Sequence, residues 1–430
     1  MPDLLALSAR IIDEGLVDQP INRVSQELSE IADGLAIVES FSHVVAFRTD
    51  AGLVLFDTSG ELTGEAVVGA LRGWSDERVH TILYTHGHVD HVGGAGAFLA
   101  DAADRGHRSP RVVGHENVRG RFERYRTTNG LNLAINARQF GGLKGMLEGH
   151  TLGGAERFLP VETPEPDVTF NDRLRLTVGG MEMQLQHARG ETDDHIWAWL
   201  PERKIICAGD FFIWNFPNAG NPQKVQRYPV EWAAALREMA GMEAELFIPA
   251  HGLPIAGAGR IRSVLGDVVR VLESTIDQTL ERMNAGETLD VILDQVEVDP
   301  ELLSKPYLRP LYDEPEFVVR NIWRLYGGWY DGNPARLKPA SDAALAREIT
   351  GLLGGVESLI QRSEELADAG DWRLACHLVE MAVQAAPDDK RAHGARADVY
   401  RRRRKHETSL MAKGIFGQAA RDSAAIAQGE

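Results

Sequence analysis

Cysteine is nearly missing from this sequence. Cys207 and Cys376 are the only two in 430 residues. That is too few for a disulfide framework and suits a reducing compartment. Long apolar runs are missing as well. No stretch approaches the roughly 18 residues that a membrane span needs, and the opening MPDLLALSARIIDEG has no basic n-region. Positive charge is also in deficit: 46 Lys and Arg face 63 Asp and Glu, a net −17. So acidic a surface repels nucleic acid and anionic lipid. These absences argue against a secreted disulfide scaffold, a membrane protein and a nucleic-acid binder, and leave a soluble cytoplasmic chain as the expectation. What is present is ordinary for a globular protein, 43% hydrophobic and 25% charged residues. At about 150 residues per domain the length allows two or three domains.

The first part of the chain alternates short apolar strands with helices. LAIVES, HVVAFRT and GLVLFDTS read as a meander, ELTGEAVVGALRGW as a helix and VHTILYTH as a buried strand. Strands resume at RLRLTVGGMEMQLQHAR, HIWAWLP, KIICAGD and AELFIPAHG. This pattern predicts a layered α/β domain over residues 1–260. Within it, about 120–166 has weak periodicity and reads as an insertion or lid. From Ile261 the apolar spacing is helical to the end, so residues 261–430 read as a helical domain. Its run Arg401–Lys405, RRRRK, reads as a solvated helix face meeting local acidic groups.

The strongest chemical signal is LYTHGHVDHVGG, residues 83–94. His86, His88, Asp90 and His91 follow directly on an apolar strand, where a loop and helix start can aim them at one point. Imidazole and carboxylate are ligands for zinc-like ions, and four within six residues imply more than one metal. Left without a counter-ion, four buried ionisable groups would be costly.

HxHxDH after a strand resembles the metallo-β-lactamase superfamily, over roughly Ile37 to Pro254. The resemblance implies an αββα sandwich with a metal site at one edge. It also implies roles for Asp57 in VLFDTS as a structural acid beneath the site, Asp210 in ICAGD as a bridging carboxylate, and His251 in IPAHG as the last ligand. For the remaining ligand two places compete. EGHT around His150 spells the family's usual motif. RGETDDHIWAWLPERKIICAGD instead has the strand context, with Glu191 where a histidine would stand. Position relative to the strands favours Glu191, leaving His150 in the lid and His187 and His195 packed nearby.

Glu191, with the C-terminal half, resembles the alkyl sulfatase branch. LLSKPYLRPLYDEPEFVVRNIWRLYGGWYDGNPARLKP, residues 302–339, is similar to the start of its dimerisation domain, and HETSLMAKGIFGQAARDS, residues 406–423, to its end. The implied partner is a second copy or a related chain, with Trp323, Tyr326, Trp329 and Tyr330 as candidate interface groups. Three departures stand out. A sterol-carrier-like domain of the full-length enzymes has no counterpart before Glu430. Asp210 replaces a second glutamate. The sulfate-facing arginine of that branch falls near Pro222 in NAGNPQKVQRYPVE, with Lys224 and Arg227 as substitutes. Phe211, Trp214 and Phe216 in FFIWNF are expected to wall an apolar pocket.

Together these readings predict two divalent ions, Zn²⁺ with Mn²⁺ or Fe²⁺ as alternatives. His86, His88 and Glu191 take one, Asp90, His91 and His251 the other, and Asp210 bridges. The shared ions activate a water, which Asp90 helps to orient, for attack on a small hydrophobic substrate. Sulfuric ester hydrolysis is the default that the resemblance implies. Hydrolysis of an activated aryl alkyl ether, or another ester, is the alternative that the weakened anion clamp favours. A non-catalytic subunit of a metallo-hydrolase complex is a third reading, and metal content separates it from the other two.

Overall fold

The computed structural model describes residues 3–140 and 156–429, so His150 lies outside the described residues. β1 (Leu28–Ala32), β2 (Leu35–Val38), β3 (Val44–Thr49) and β4 (Gly52–Phe56) form an antiparallel meander. β5 (Val79–Leu83), β6 (Arg111–His115) and β7 (Val168–Phe170) extend it in parallel, completing a seven-stranded sheet in sequential order. A second sheet of six strands has the order β13-β12-β11-β10-β9-β8. It comprises β8 (Arg173–Val178), β9 (Met181–His187), β10 (Ile196–Leu200), β11 (Ile205–Gly209), β12 (Leu246–Pro249) and β13 (Ile255–Ala256).

Burial follows the sequence pattern. β2 and β4, LAIV and GLVLF, are apolar throughout and buried throughout, as central strands covered on both faces must be. β8, RLRLTV, sits at a sheet end and alternates exposed Arg173 and Arg175 with half-buried leucines. Leu35, Ile37, Phe47, Val54 and Phe56 of the first sheet meet Leu185, Ile196, Ala198, Cys207 and Ile248 of the second in one core. Each large side chain buried there contributes about 1.5–3 kcal/mol. A second core lies between the second sheet and helices Pro229–Gly241 and Ala258–Asn284. Helix Glu61–Trp74 packs against helix Ala95–Asp104 and against β1 and β2 of the first sheet. The layers are therefore helix, sheet, sheet, helix, the αββα sandwich expected from the motifs.

Two sequence expectations change in detail. In the stretch from about 120, the described residues up to Phe140 are not irregular. Helices Asn117–Thr127 and Asn129–Phe140 occupy its first part, and the arginine-rich face of the former hides a buried stripe of Val118, Arg121, Phe122 and Tyr125. Strand signals do end near Ile261, but the compact unit that holds both sheets continues to Gly328. Helices Ala258–Asn284 and Pro315–Gly327 belong to it because Val264, Leu265, Leu272, Val318 and Ile322 enter the second core.

The second unit starts at Trp329 and includes Arg138 and its neighbours. Helices Glu357–Asp368, Trp372–Ala385, Lys390–His406 and Leu410–Gln428 bury Ile360, Val379, Val399, Tyr400 and Ala420 between them. Its basic run is locally neutralised. Arg401 pairs with Asp398 at 3.3 Å, Arg402 with Asp368 at 2.8 Å and Arg403 with Glu407 at 2.7 Å. Among the described residues, no helix is long and apolar enough to cross a membrane.

Candidate metal centre

The centre begins where β5 ends. Asp57, at the end of β4, turns its carboxylate onto the next segment. It accepts from the Thr85 backbone N–H and hydroxyl, both at 2.7 Å, and from His91 Nδ1 at 2.7 Å. Because Nδ1 donates to Asp57, the His91 tautomer is set and Nε2 is left as a lone-pair donor. Asp57 has φ 60°, a left-handed backbone that aspartate tolerates better than most residues. His88 caps the short helix Val89–Val92, which carries Asp90 and His91. Gly94 allows the loop to close. A Cβ there would lie 2.0 Å from the Thr58 carbonyl oxygen. On the other side, Asp194 accepts from Gly87 N–H at 2.9 Å and from Arg121 Nε at 2.8 Å, tying the histidine loop to the loop after β9.

The second sheet supplies the rest. Glu191 lies between β9 and β10, Asp210 follows β11, and His251 follows β12. Two groups result, His86–His88–Glu191–Asp210 and Asp90–His91–His251, and in each the potential ligand atoms lie within 4.8 Å of one another. All seven residues singled out in the sequence are thus brought together, each buried except half-buried His88.

His91 Nε2 is 3.5 Å from Asp90 Oδ2 and 3.4 Å from Asp210 Oδ1, and His251 Nε2 is 3.4 Å and 3.5 Å from the same two oxygens. Asp210 turns its other oxygen, Oδ2, toward His86 Nε2 at 3.9 Å. Four ligands at zinc-like bond lengths of about 2.0–2.1 Å stand roughly 3.3–3.4 Å apart in a tetrahedron, so these spacings fit a divalent ion between the groups. His91 Nε2, Glu191 Oε2 and Asp210 Oδ1 are buried without a hydrogen-bond partner. Buried polar atoms are rarely left so, and a cation completes them.

The titration of the protein groups points the same way. Burial pushes the Glu191 carboxyl up to about 8, outweighing the pull of Arg227. Burial opposes charge on His251, yet Asp210 and Asp90 lift it to about 10. His86 and His88 are driven well below the ordinary histidine range, first by burial. Carboxylates and imidazoles packed this closely lack positive charge at their centre, and a divalent cation supplies it. The residues present therefore form a divalent metal site.

Other candidates fall elsewhere. Phe211, Trp214 and Phe216, expected to wall a pocket, are buried. They lie in the second core, with Phe211 stacked on His195 at 4.2 Å and Trp214 Nε1 donating to the Leu253 carbonyl at 2.7 Å. The core had more need of these rings than the surface did. His195 Nε2 accepts from Asp210 N–H at 3.1 Å, so this ring supports a ligand from behind. His187 Nδ1 bonds the His195 carbonyl at 2.9 Å and its ring stacks on His115. Arg227 is buried and engaged, its Nη1 2.9 Å from Glu191 Oε1. Lys224 stands 5.4 Å from the Phe158 ring centre. Burial and Arg227 lower its ammonium to about 8, against the pull of Asp90 and Glu191. Cys207 is buried and its thiol is pushed far up, so it is no nucleophile. The sequence carries no local signal for Arg121, Asp194 or Asn218, whose roles arise from contacts between distant segments.

Comparison with known proteins agrees with this geometry. The profile described as Metallo-beta-lactamase superfamily matches residues 37–251, and the one described as Alkyl sulfatase dimerisation matches residues 288–425. A linear primary-alkylsulfatase from Pseudomonas sp. (strain ATCC 19151) is 28% identical over 367 residues, covering 82% of this chain and 68% of that one. An (R)-specific secondary-alkylsulfatase from Pseudomonas sp. is 27% identical, covering 83% and 56%. The chain thus spans a little over half to about two thirds of the length of these relatives. The solved structure of the stereoselective inverting sec-alkylsulfatase Pisa1 from Pseudomonas sp. superposes with a TM-score of 0.81 at 23% identity, covering 94% of this chain and 66% of that one.

Proposed function

This chain belongs to the metallo-β-lactamase superfamily, and on that premise we propose that it is a metal-dependent hydrolase of sulfate esters with an apolar organic group. The observation that carries the reading is the pair of ligand groups joined by Asp210, in a chain that also matches an alkyl sulfatase dimerisation profile. Two ions are proposed, zinc first because four imidazoles dominate, with manganese or iron(II) admitted by the three carboxylates. Divalent ions bound here supply Lewis acidity and lower the pKa of water toward neutrality. The chain's own groups do the rest. Asp57 orients His91, Asp210 couples the two groups, and Asp90 stands beside both His91 and His251. The test is hydrolysis of dodecyl sulfate, an aryl sulfate and a nitroaryl methyl ether, each with and without chelator. Chelator-sensitive release of sulfate supports the reading. Turnover of the ether alone overturns it in favour of ether cleavage, and absence of both metal and turnover in favour of a non-catalytic subunit.

Lys224 is proposed as the cation that meets the substrate anion, since Arg227 is held by Glu191. Lys224→Met should raise KM for an alkyl sulfate about 10- to 100-fold, the worth of one charge-assisted hydrogen bond of about 1.5–3 kcal/mol. Steady-state kinetics at equal metal content checks this, and an unchanged KM counts against it.

The proposed partner is a second copy of the chain or a related chain. Trp329 is 70% exposed and Tyr326 53% exposed, although large aromatic rings usually find cover. Light scattering at micromolar concentration should give at least twice the chain mass, and Trp329→Glu should shift the population toward monomer. A wild-type monomer argues against the assignment.

A further inference from the structure

Glu191 is held by more than its own strand. Its Oε1 receives Arg227 Nη1 at 2.9 Å, and Asn218 Nδ2 bonds the same oxygen. Arg227 Nη1 also bonds the Glu191 carbonyl. Oε2 alone is left without a hydrogen-bond partner. Asn218, midway along the loop that links β11 to helix Pro229–Gly241, and Arg227, near its end, both belong to that loop, so the orientation of Glu191 depends on where it rests.

The loop rests on the helical segment that follows the sandwich. Asp313, fully buried, accepts from the N–H groups of Gly220 and Asn221. Asn321, 3% exposed, clasps the far end. Its Oδ1 accepts from Gln226 Nε2 at 2.8 Å and from Arg227 N–H at 3.3 Å, and its Nδ2 donates to the Arg227 carbonyl at 3.1 Å. Arg324 Nε adds a bond to Gln226 Oε1 at 3.0 Å. Contact is close between these bonds. A Cβ on Gly220 would lie 2.4 Å from the Phe317 carbonyl carbon and 2.5 Å from the Val318 nitrogen. No side chain fits there, and the loop and the helix meet backbone to backbone.

We propose that the segment Asp313–Asn321, which falls inside the stretch matched by the dimerisation profile, is a working part of the metal site. It positions Arg227 and Asn218, which together fix Glu191 with one oxygen free for metal. Arg227 is then a positioning residue and not the substrate's anion clamp. The stretch 288–425 does more than join subunits: its helix Pro315–Gly327, with Asp313 just before it, finishes a site whose ligands all lie before it in the chain. This rests on the reading of Glu191 as a metal ligand.

The test measures zinc bound per chain, and zinc affinity by chelator competition, on purified full-length wild type, Glu191→Gln, Asn321→Ala, Gly220→Ala and Arg227→Lys. Melting temperature and oligomeric state are recorded beside them. Glu191→Gln should lose zinc; if it keeps all of it, the reading of Glu191 fails, and the inference with it. With Glu191→Gln behaving as expected, Asn321→Ala and Gly220→Ala should each weaken zinc binding about 10- to 100-fold, the usual effect of losing a partner behind a ligand, at unchanged oligomeric state. Gly220→Ala removes no polar group, so its effect reports the seating of the loop. Wild-type zinc affinity in both variants overturns the inference. Should both fail to fold, Arg227→Lys decides alone. Weakened zinc binding supports the positioning role, whereas a raised KM for alkyl sulfate at wild-type zinc content assigns Arg227 to the substrate and overturns it.

Discussion

Asp210→Ala is expected to empty the centre and lower turnover of an alkyl sulfate at least about a thousand-fold. Asp210 is the side chain that faces both ligand groups, Oδ1 toward His91 and His251 and Oδ2 toward His86. Without it each group loses a carboxylate, and His91 and His251 lose much of the negative charge that they face. Lewis-acid stabilisation at such a site is worth several kcal/mol, and each 1.36 kcal/mol is a factor of ten in rate. About 4 kcal/mol therefore corresponds to the expected loss. Elemental analysis and kcat on the same preparation check it. A variant that keeps its metal and stays within tenfold of wild-type turnover rules out the joining role given to Asp210.

Asp57→Ala should damage both the fold and the metal site, although Asp57 belongs to neither ligand group. Its carboxylate is buried and receives three donors, the Thr85 N–H, the Thr85 hydroxyl and His91 Nδ1. Breaking a buried charged pair from one side costs about 3–5 kcal/mol, and the stranded donors make recovery by relaxation difficult. Freed from Asp57, the His91 ring can change tautomer and turn its lone pair from the metal, an effect worth about 10- to 100-fold in affinity. Asp57→Asn separates the two consequences. It still offers an oxygen to Thr85, so stability should largely survive. Toward His91 its amide can present a donor, so metal affinity should still fall. Denaturant midpoints and chelator competition on the two variants check this. Equal metal affinity in Asp57→Asn and wild type would remove the tautomer argument.

The sequence was most informative where the chemistry is local. His86, His88, Asp90 and His91 sit within six residues, so one strand end and one short helix aim all four, and the spacing alone exposes them. Asp210 and His251 are single residues at strand ends that only the family resemblance singles out, and Glu191 is preferred to His150 only through the strands around it. The aromatic block FFIWNF is compatible with a pocket wall and with a core, and only packing shows how much of it the core takes. Trp214 and Phe216 are covered by helices whose arrival from later in the chain no local pattern announces. The stretch from about 120 has weak periodicity because Arg121 takes one position of the buried stripe, filling it with an ion pair to Asp194 instead of an apolar side chain. Arg227 looked like a substrate group for the same reason. A buried arginine and a binding arginine are identical in sequence, and the partner, Glu191, lies 36 residues away.

The two ligand groups share one architectural property. Each draws from both sheets. His86, His88, Asp90 and His91 follow β5 of the first, whereas Glu191, Asp210 and His251 follow β9, β11 and β12 of the second. An ion in either group therefore stitches the sandwich across its seam, and its binding free energy counts toward cohesion as well as reactivity. At a free concentration a hundred times the dissociation constant, one such ion adds about 2.7 kcal/mol against unfolding, a large share of a typical domain's margin. A cell starved of metal would then lose this protein twice over, first its activity and then, as the seam opens to proteases, the polypeptide itself.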